Sequence, residues 1–315
     1  MKNTTICITG GCGAIGISLV QFLLNQNPKK IIIIDNLSSG NLNYLPKDDR
    51  IKFYHIDICN KEKLQSVITS DIDYIFHLAA HFANQNSVEF PISDVQTNII
   101  GTINLLELCK NINIKKFINC SSSCVYSNTQ SYMRITDNLY PYETPYAINK
   151  LSTELYTKFY SEHFHIPTIN IRIFNTYGPY EKGGKYRNVI PNFIEMALKN
   201  KPFTITGTGE ETRDFTYCLD TCNLLYLAAL SNSINGDSFN GGTGIPTKII
   251  DLANTIIELC NSNSKLEFVG RRKWDKVTDR LSDISKSTLE LGYTPSHLDL
   301  QKNLINVINW YKNIL

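Results

Sequence analysis

Three observations predict an α/β fold built on a doubly wound parallel sheet, followed by a smaller C-terminal region. Short apolar runs alternate with helix-like stretches through the first half of the chain. A glycine-spaced loop joins the first run to the first helix, and the texture changes to loops and short elements from about Phe174. Buried parallel strands read as continuous apolar runs because helices cover both faces of the sheet. Taking the elements in order, Ile6-Cys7-Ile8 reads as a strand, residues 17–25 as a helix and residues 31–34 as the second strand. Further strands are expected at Ile51–His55, 74–78, 117–120 and Thr168–Ile173, with helices at 64–69, 99–109 and 146–164. In the second half, helices are expected at Val189–Leu198, 219–230, 251–260 and 300–310, punctuated by Pro179, Gly183-Gly184, Gly207, Gly209 and Gly241-Gly242-Thr243-Gly244. The division expected is residues 1–173 for one domain and 174–315 mainly for a second, with some segments returning to the first.

The chain of 315 residues can bury a substantial core, and its 42% hydrophobic and 19% charged residues are those of an ordinary globular protein. A formal net charge of +2 gives no electrostatic case for nucleic acid or an anionic membrane as the partner. No segment reaches about 18 uninterrupted apolar residues, and the polar start at Met1 lacks the pattern of a signal peptide. The nine cysteines are odd in number, scattered, and contain no CxxC pair. Free thiols in a reducing cytoplasm follow, with neither a disulfide framework nor a zinc site. His77, His81, His163 and His165 read as packing or surface residues, and no metal is expected.

Thr9-Gly10-Gly11-Cys12-Gly13-Ala14-Ile15-Gly16 places glycines at 10, 13 and 16, directly after a strand and opening a helix. Such a loop lets backbone amides approach a pyrophosphate at a helix N-terminus, as in Rossmann-type dinucleotide sites. Asp35, at the end of the next strand, would accept hydrogen bonds from ribose hydroxyls and repel a 2′-phosphate, which favours NAD over NADP. Cys12 within the loop reads as packing. Tyr146 and Lys150 stand four residues apart on a helical stretch, so they share one face. An ammonium beside a phenol favours the phenolate, which would let Tyr146 take a proton from a sugar hydroxyl near neutral pH.

Together with Asp57-Ile58, His77-Leu78-Ala79-Ala80, Asn98, Ser121-Ser122-Ser123, Arg172 to Pro179, Gly207 to Phe215, and Arg271-Arg272 with Asp275, these motifs resemble the extended short-chain dehydrogenase/reductase family, specifically its nucleotide-sugar epimerases and dehydratases such as UDP-glucose 4-epimerase. The match covers nearly the whole chain. The resemblance implies NAD contacts from Gly10, Gly13, Ala14, Ile15, Gly16, Asp35, Asn36, Ser38, Ser39, Gly40, Asp57, Ile58, Leu78, Ala79, Ala80 and Asn98, with Tyr146 and Lys150. It implies catalytic roles for Ser122, Tyr146 and Lys150. A nucleotide-diphosphate sugar would be held by Ser122, Ser123, Asn175, Asn188, Val189, Arg213, Arg272 and Asp275, the guanidinium forks facing phosphate oxygens. It also implies a homodimer through a four-helix bundle, for which residues 99–109 and 151–164 are the candidates.

The resemblance further narrows the reaction. Related 4,6-dehydratases carry Asp-Glu after the catalytic Ser/Thr, and the uronate decarboxylases keep a glutamate at the second position. Ser123 and Cys124 stand there, poor replacements for a positioned acid and base. A 4-epimerase acting through a transient 4-keto sugar is therefore expected. The alternatives are a 4,6-dehydratase, a decarboxylase, a net 4-oxidoreductase, or a non-enzymatic binding protein on the same fold. Two departures from the family pattern stand out, Ser127 where glycine is common and the segment from His81 to Ser87, and one extra residue between Asp275 and Asp283 blurs the alignment near Arg280. If Arg280 faces the sugar, a uronic acid would be a natural substrate.

Overall fold

The structure, a computed structural model, describes residues 1–126 and 132–315; Ser127 lies outside them. Seven strands form one parallel sheet in the order Asp237–Gly241, Thr168–Ile173, Lys116–Ser122, Tyr74–His77, Thr5–Thr9, Lys30–Asp35, Ile51–His55. The isoleucine-rich strands at the centre, Thr5–Thr9 and Lys30–Asp35, are buried on both faces. Two apolar clusters account for this, one on each side of the sheet: Ile6, Ile8, Ile31 and Ile33 point into one, and Cys7, Ile32 and Ile34 into the other. Strand residues alternate between faces, so a sheet with two covered faces needs apolar side chains at every position.

Strand order reverses between Thr5–Thr9 and Tyr74–His77. The loops that leave these two strands diverge to opposite faces, which opens a crevice at their carboxyl ends. Gly10 and Leu78-Ala79-Ala80 lie at that point. The strand Asp237–Gly241 comes from the second half of the chain and completes the edge of this sheet beside Thr168–Ile173.

Beyond the crevice, a third apolar cluster joins the helices Val189–Leu198, Ile249–Leu259 and Leu300–Ile314 around Phe193, Phe203, Leu252 and Tyr311. A four-stranded sheet, Pro246–Lys248, Thr212–Asp214, Asp279–Ser282 and Tyr132–Met133, borders the crevice from the same side. Most expected elements are present, with shifted ends. The second helix spans Lys61–Gln65 rather than 64–69, because Asn60 caps it by accepting from Lys63 N. The helix Gly101–Cys109 is entered through a π turn at Gln96–Ile100. The short helices Asn84–Glu89, Pro91–Val95 and Ser285–Leu291 have no counterpart among the expected elements. Among the described residues, no helix is long and apolar enough to cross a membrane.

Candidate active site

A cleft of about 1000 Å³ runs from the glycine loop across the sheet's carboxyl ends to the C-terminal region. At one end stands the helix Ala14–Leu24, whose N-cap is Gly13 and whose first turn has no side-chain cap. Its N–H groups therefore remain available to an anion. Gly10 has φ +69°, and a Cβ there would lie 2.7 Å from the Ala79 backbone nitrogen. A Cβ on Gly16 would collide with the Gly10 carbonyl. These two positions admit only glycine, and they keep the loop open toward the cleft. Asp35 accepts from Cys12 N at 2.9 Å and Leu37 N at 2.8 Å, which fixes the carboxylate and leaves it further lone pairs. Buried Cys12 packs there, its thiol pushed up to about 12 by burial and by the Asp35 charge.

Midway along the cleft lies the helix Pro145–Phe164. Thr144 caps it by accepting from Ala147 N, and proline occupies its first turn, so the helix starts one residue before Tyr146. Tyr146 is buried, its backbone N–H donates to Ser87 Oγ at 3.0 Å, and its phenol lies near the Ser122 hydroxyl. Lys150 is also buried and donates to the Cys120 carbonyl at 2.8 Å, with its Nζ 5.8 Å from the centre of the Tyr146 ring. The sequence predicts an acidified phenol, but the protein's own groups do the opposite. Burial, and then the charges of Cys124 and Asp94, hold the Tyr146 phenol well above its ordinary range, and the Ser122 hydroxyl recovers only part of this. Burial also draws the Lys150 ammonium below its usual range. Cys124 lies beside them. Burial pushes its thiol up, but the Arg280 charge and hydrogen bonds from Ser122, Asn84 and Arg280 outweigh burial and bring it below the ordinary value.

Toward the C-terminal region, Asn175, Asn188, Val189, Arg213, Arg272 and Asp275 line the same cleft. Arg213 donates to the carbonyls of Thr212 and Thr278 at 2.8 and 3.1 Å. Burial, followed by repulsion from Arg280, lowers its guanidinium to about 10.

With this geometry in place, the chain's relationships become informative. Residues 6–242 match the model of the NAD dependent epimerase/dehydratase family. The chain belongs to this family. It is 32% identical to the UDP-glucuronate 4-epimerase of Thermodesulfobacterium geofontis over 97% of the chain and 95% of that protein. It is 30% identical to the UDP-N-acetyl-alpha-D-glucosaminuronate decarboxylase of Bacillus cytotoxicus over 98% of the chain and 97% of that protein. The solved UDP-N-acetylglucosamine 4-epimerase of Methanobrevibacter ruminantium, in complex with UDP-N-acetylmuramic acid, superposes with a TM-score of 0.93 at 32% identity and full coverage of both chains. This member of the family is thus an NAD-dependent enzyme of the nucleotide-sugar epimerase/dehydratase class. The uncapped helix, the glycine loop and the fixed Asp35 carboxylate fit that cofactor.

Of the residues expected to contact cofactor or substrate or to act in catalysis, Gly40, Asp57 and Asn98 do not line the cleft, whereas the others do. Gly40 packs on Cys12, and exposed Asp57 accepts from Asn36 Nδ2 at 2.8 Å. Asn98 is buried and pins the chain after Ala80 by accepting from His81 N and donating to the His81 carbonyl. Cys124, Glu181 and Trp274 also line the cleft and were not singled out as site residues.

Glu181 gives a titratable prediction. Burial raises its carboxyl to about 7, against the pull of Arg187 and of the Asn188 amide, which donates to Glu181 Oε1 at 3.2 Å. A raised carboxyl favours the folded state while protonated, so its contribution is full below about 4.5 and is lost as pH rises through about 7. Glu181→Gln should flatten the fall in unfolding free energy between these limits, a difference of up to about 3 kcal/mol. Denaturant midpoints measured across that pH range decide it; parallel profiles for the two proteins would refute the assignment.

Proposed function

We propose that this enzyme is a nucleotide-sugar 4-epimerase that works through a transient 4-keto sugar. The observation that carries the reading is the pair Ser123 and Cys124 beside Ser122, which supplies no carboxyl group to act as the positioned acid or base of an elimination across C5 and C6. Residues 1–173 would serve mainly to bind NAD, and residues 174–315 mainly to bind the nucleotide sugar. The amides at the start of the helix Ala14–Leu24 would take the pyrophosphate, Asp35 the adenosine ribose, and Lys150 the nicotinamide ribose. Arg213 and Arg272 would clamp the sugar nucleotide's diphosphate. NAD, when bound, supplies a hydride acceptor and a positive ring. Ser122 would hold the 4-oxygen of the sugar, and Tyr146 would remove its proton and later return it. No other acid or base is then needed, since the ketone has only to present its other face. NMR of the product formed from UDP-, dTDP-, GDP- and CDP-sugars tests this. A 4-epimer with no accumulation of reduced nicotinamide is expected, and a dehydrated, decarboxylated or net-oxidised product would overturn it.

We further infer a homodimer. Ile148, Leu155 and Phe159 form an exposed apolar stripe along the helix Pro145–Phe164, and Ile92, Val95 and Ile100 are exposed on the adjoining turns. Contiguous exposed apolar surface of this kind is characteristic of an interface. Sedimentation at micromolar concentration should give a dimer for the native chain and a monomer for Leu155→Glu. A native monomer would eliminate the idea.

A further inference from the structure

Arg280 is unlike the other arginines around the cleft. Its strand, Asp279–Ser282, runs parallel to Thr212–Asp214, and the register sets Arg280 directly beside Arg213. From there its Nη1 reaches Cys124 Sγ at 3.2 Å and comes within 3.5 Å of Ser123 Oγ, on the turn that follows Ser122. Its Nε is shielded from water and has no hydrogen-bond partner. The buried arginine Arg172 has a carboxylate, pairing with Glu154 at 2.8 Å, and the more exposed Arg271 pairs with Glu211 at 2.7 Å. Among the described residues, no carboxylate forms an ion pair with Arg280. A thiol is a weak acceptor and carries no full charge, so Cys124 leaves Nε without a partner and the guanidinium without a carboxylate. Arg280 is half-buried, and shielding its Nε without a partner is costly, a cost recovered when an anion arrives.

Two adjacent guanidiniums therefore face the cleft, at different depths. Arg213 belongs to the stretch lined by Asn188, Val189 and Arg272, whereas Arg280 reaches the turn that carries Ser122. A diphosphate held at Arg213 cannot also lie against Ser123 and Cys124 if the sugar ring is to meet Ser122 and Tyr146. The anion facing Arg280 has to come from the ring itself. We propose that Arg280 recognises a carboxylate carried by the sugar, so that the substrate class is an acidic nucleotide sugar. This inference rests on the reading of the cleft as a nucleotide-sugar site. A planar fork with several free N–H donors suits a carboxylate in a bidentate arrangement, which adds selectivity as well as strength.

The test uses the NAD-loaded protein and calorimetric binding. The nucleoside diphosphate that binds best among UDP, dTDP, GDP and CDP fixes the carrier, and its glucose and glucuronate conjugates are then compared. The glucuronate conjugate is expected to bind roughly 10- to 100-fold more tightly than the glucose one, as a charge-assisted paired contact allows. Arg280→Gln should abolish that preference while leaving the diphosphate alone and the glucose conjugate within about threefold, and Arg280→Lys should keep part of it. Arg213→Gln should weaken all three ligands together. Equal affinity for the two conjugates in the native protein, or a preference that survives Arg280→Gln, overturns the proposal. So does an equal loss for both conjugates in Arg280→Gln, the result expected if Arg280 only steadies Cys124. The product of the tighter conjugate separates the two readings: decarboxylation or dehydration would refute the epimerase and leave the acidic sugar, whereas an epimerised neutral sugar without preference would do the reverse.

Discussion

Tyr146→Phe should lower kcat by about three orders of magnitude, the upper part of the range for losing a positioned acid/base group, while NAD affinity and fold stay unchanged. The substitution removes one oxygen and little else. The ring remains buried with Phe82 set edge-on at 6.1 Å, and the backbone N–H still donates to Ser87. What disappears is the phenolic oxygen near Ser122. Because burial holds that phenol well above its ordinary range, the native enzyme's kcat/KM should rise with pH, and this dependence should vanish in the residual activity of the variant. Stopped assays of the variant across pH, with NAD binding followed by fluorescence, provide the measurement. Near-native turnover by Tyr146→Phe would remove the tyrosine from the chemistry.

The direction of that phenol's shift was not legible in the sequence. The spacing of Tyr146 and Lys150 correctly places both in the cleft, but spacing carries no information about burial, and burial dominates both groups. The strands were legible because a sheet covered on both faces writes itself as runs of isoleucine. The glycine loop was legible because its conformation excludes other residues at Gly10 and Gly16. By contrast, the short helices Asn84–Glu89 and Pro91–Val95 are built from Asn, Gln, Ser and Asp with few apolar residues, so no helical period announces them. They are held by tertiary hydrogen bonds instead: Ser87 to the Tyr146 backbone, and buried Asp94 to Asn149 Nδ2 at 2.6 Å. The position of Arg280 depends on a strand pairing across more than sixty residues, with Arg213, which no local pattern encodes.

Glu154→Ala should cost about 3–5 kcal/mol, the usual consequence of removing one partner from a buried ion pair. Glu154 lies one turn beyond Lys150 on the same helix and is buried with Arg172, whose Nη2 and Nε donate to it at 2.8 and 2.9 Å. Ser121 Oγ and Ser238 Oγ donate to the same carboxylate, so it ties three neighbouring strands to the helix that bears Tyr146. Burial works against the Arg172 charge, but Glu154 overrides it and holds the guanidinium above its usual range. Without Glu154 that cation keeps, among the described residues, the Tyr126 hydroxyl, at 2.9 Å, and the face of the Tyr126 ring. The unfolding temperature should fall by roughly 6–15 °C, taking about 2–3 °C per kcal/mol for a chain of this size. The double variant Glu154→Met with Arg172→Met should recover most of the loss, because two apolar side chains leave no charge stranded. Thermal unfolding of the three proteins measures the coupling directly. If the single variant unfolds within about 2 °C of the native protein, the ion pair is not what fastens the helix to the sheet. In that case the placement of Lys150 would have to rest on its own bond to the Cys120 carbonyl and on apolar packing.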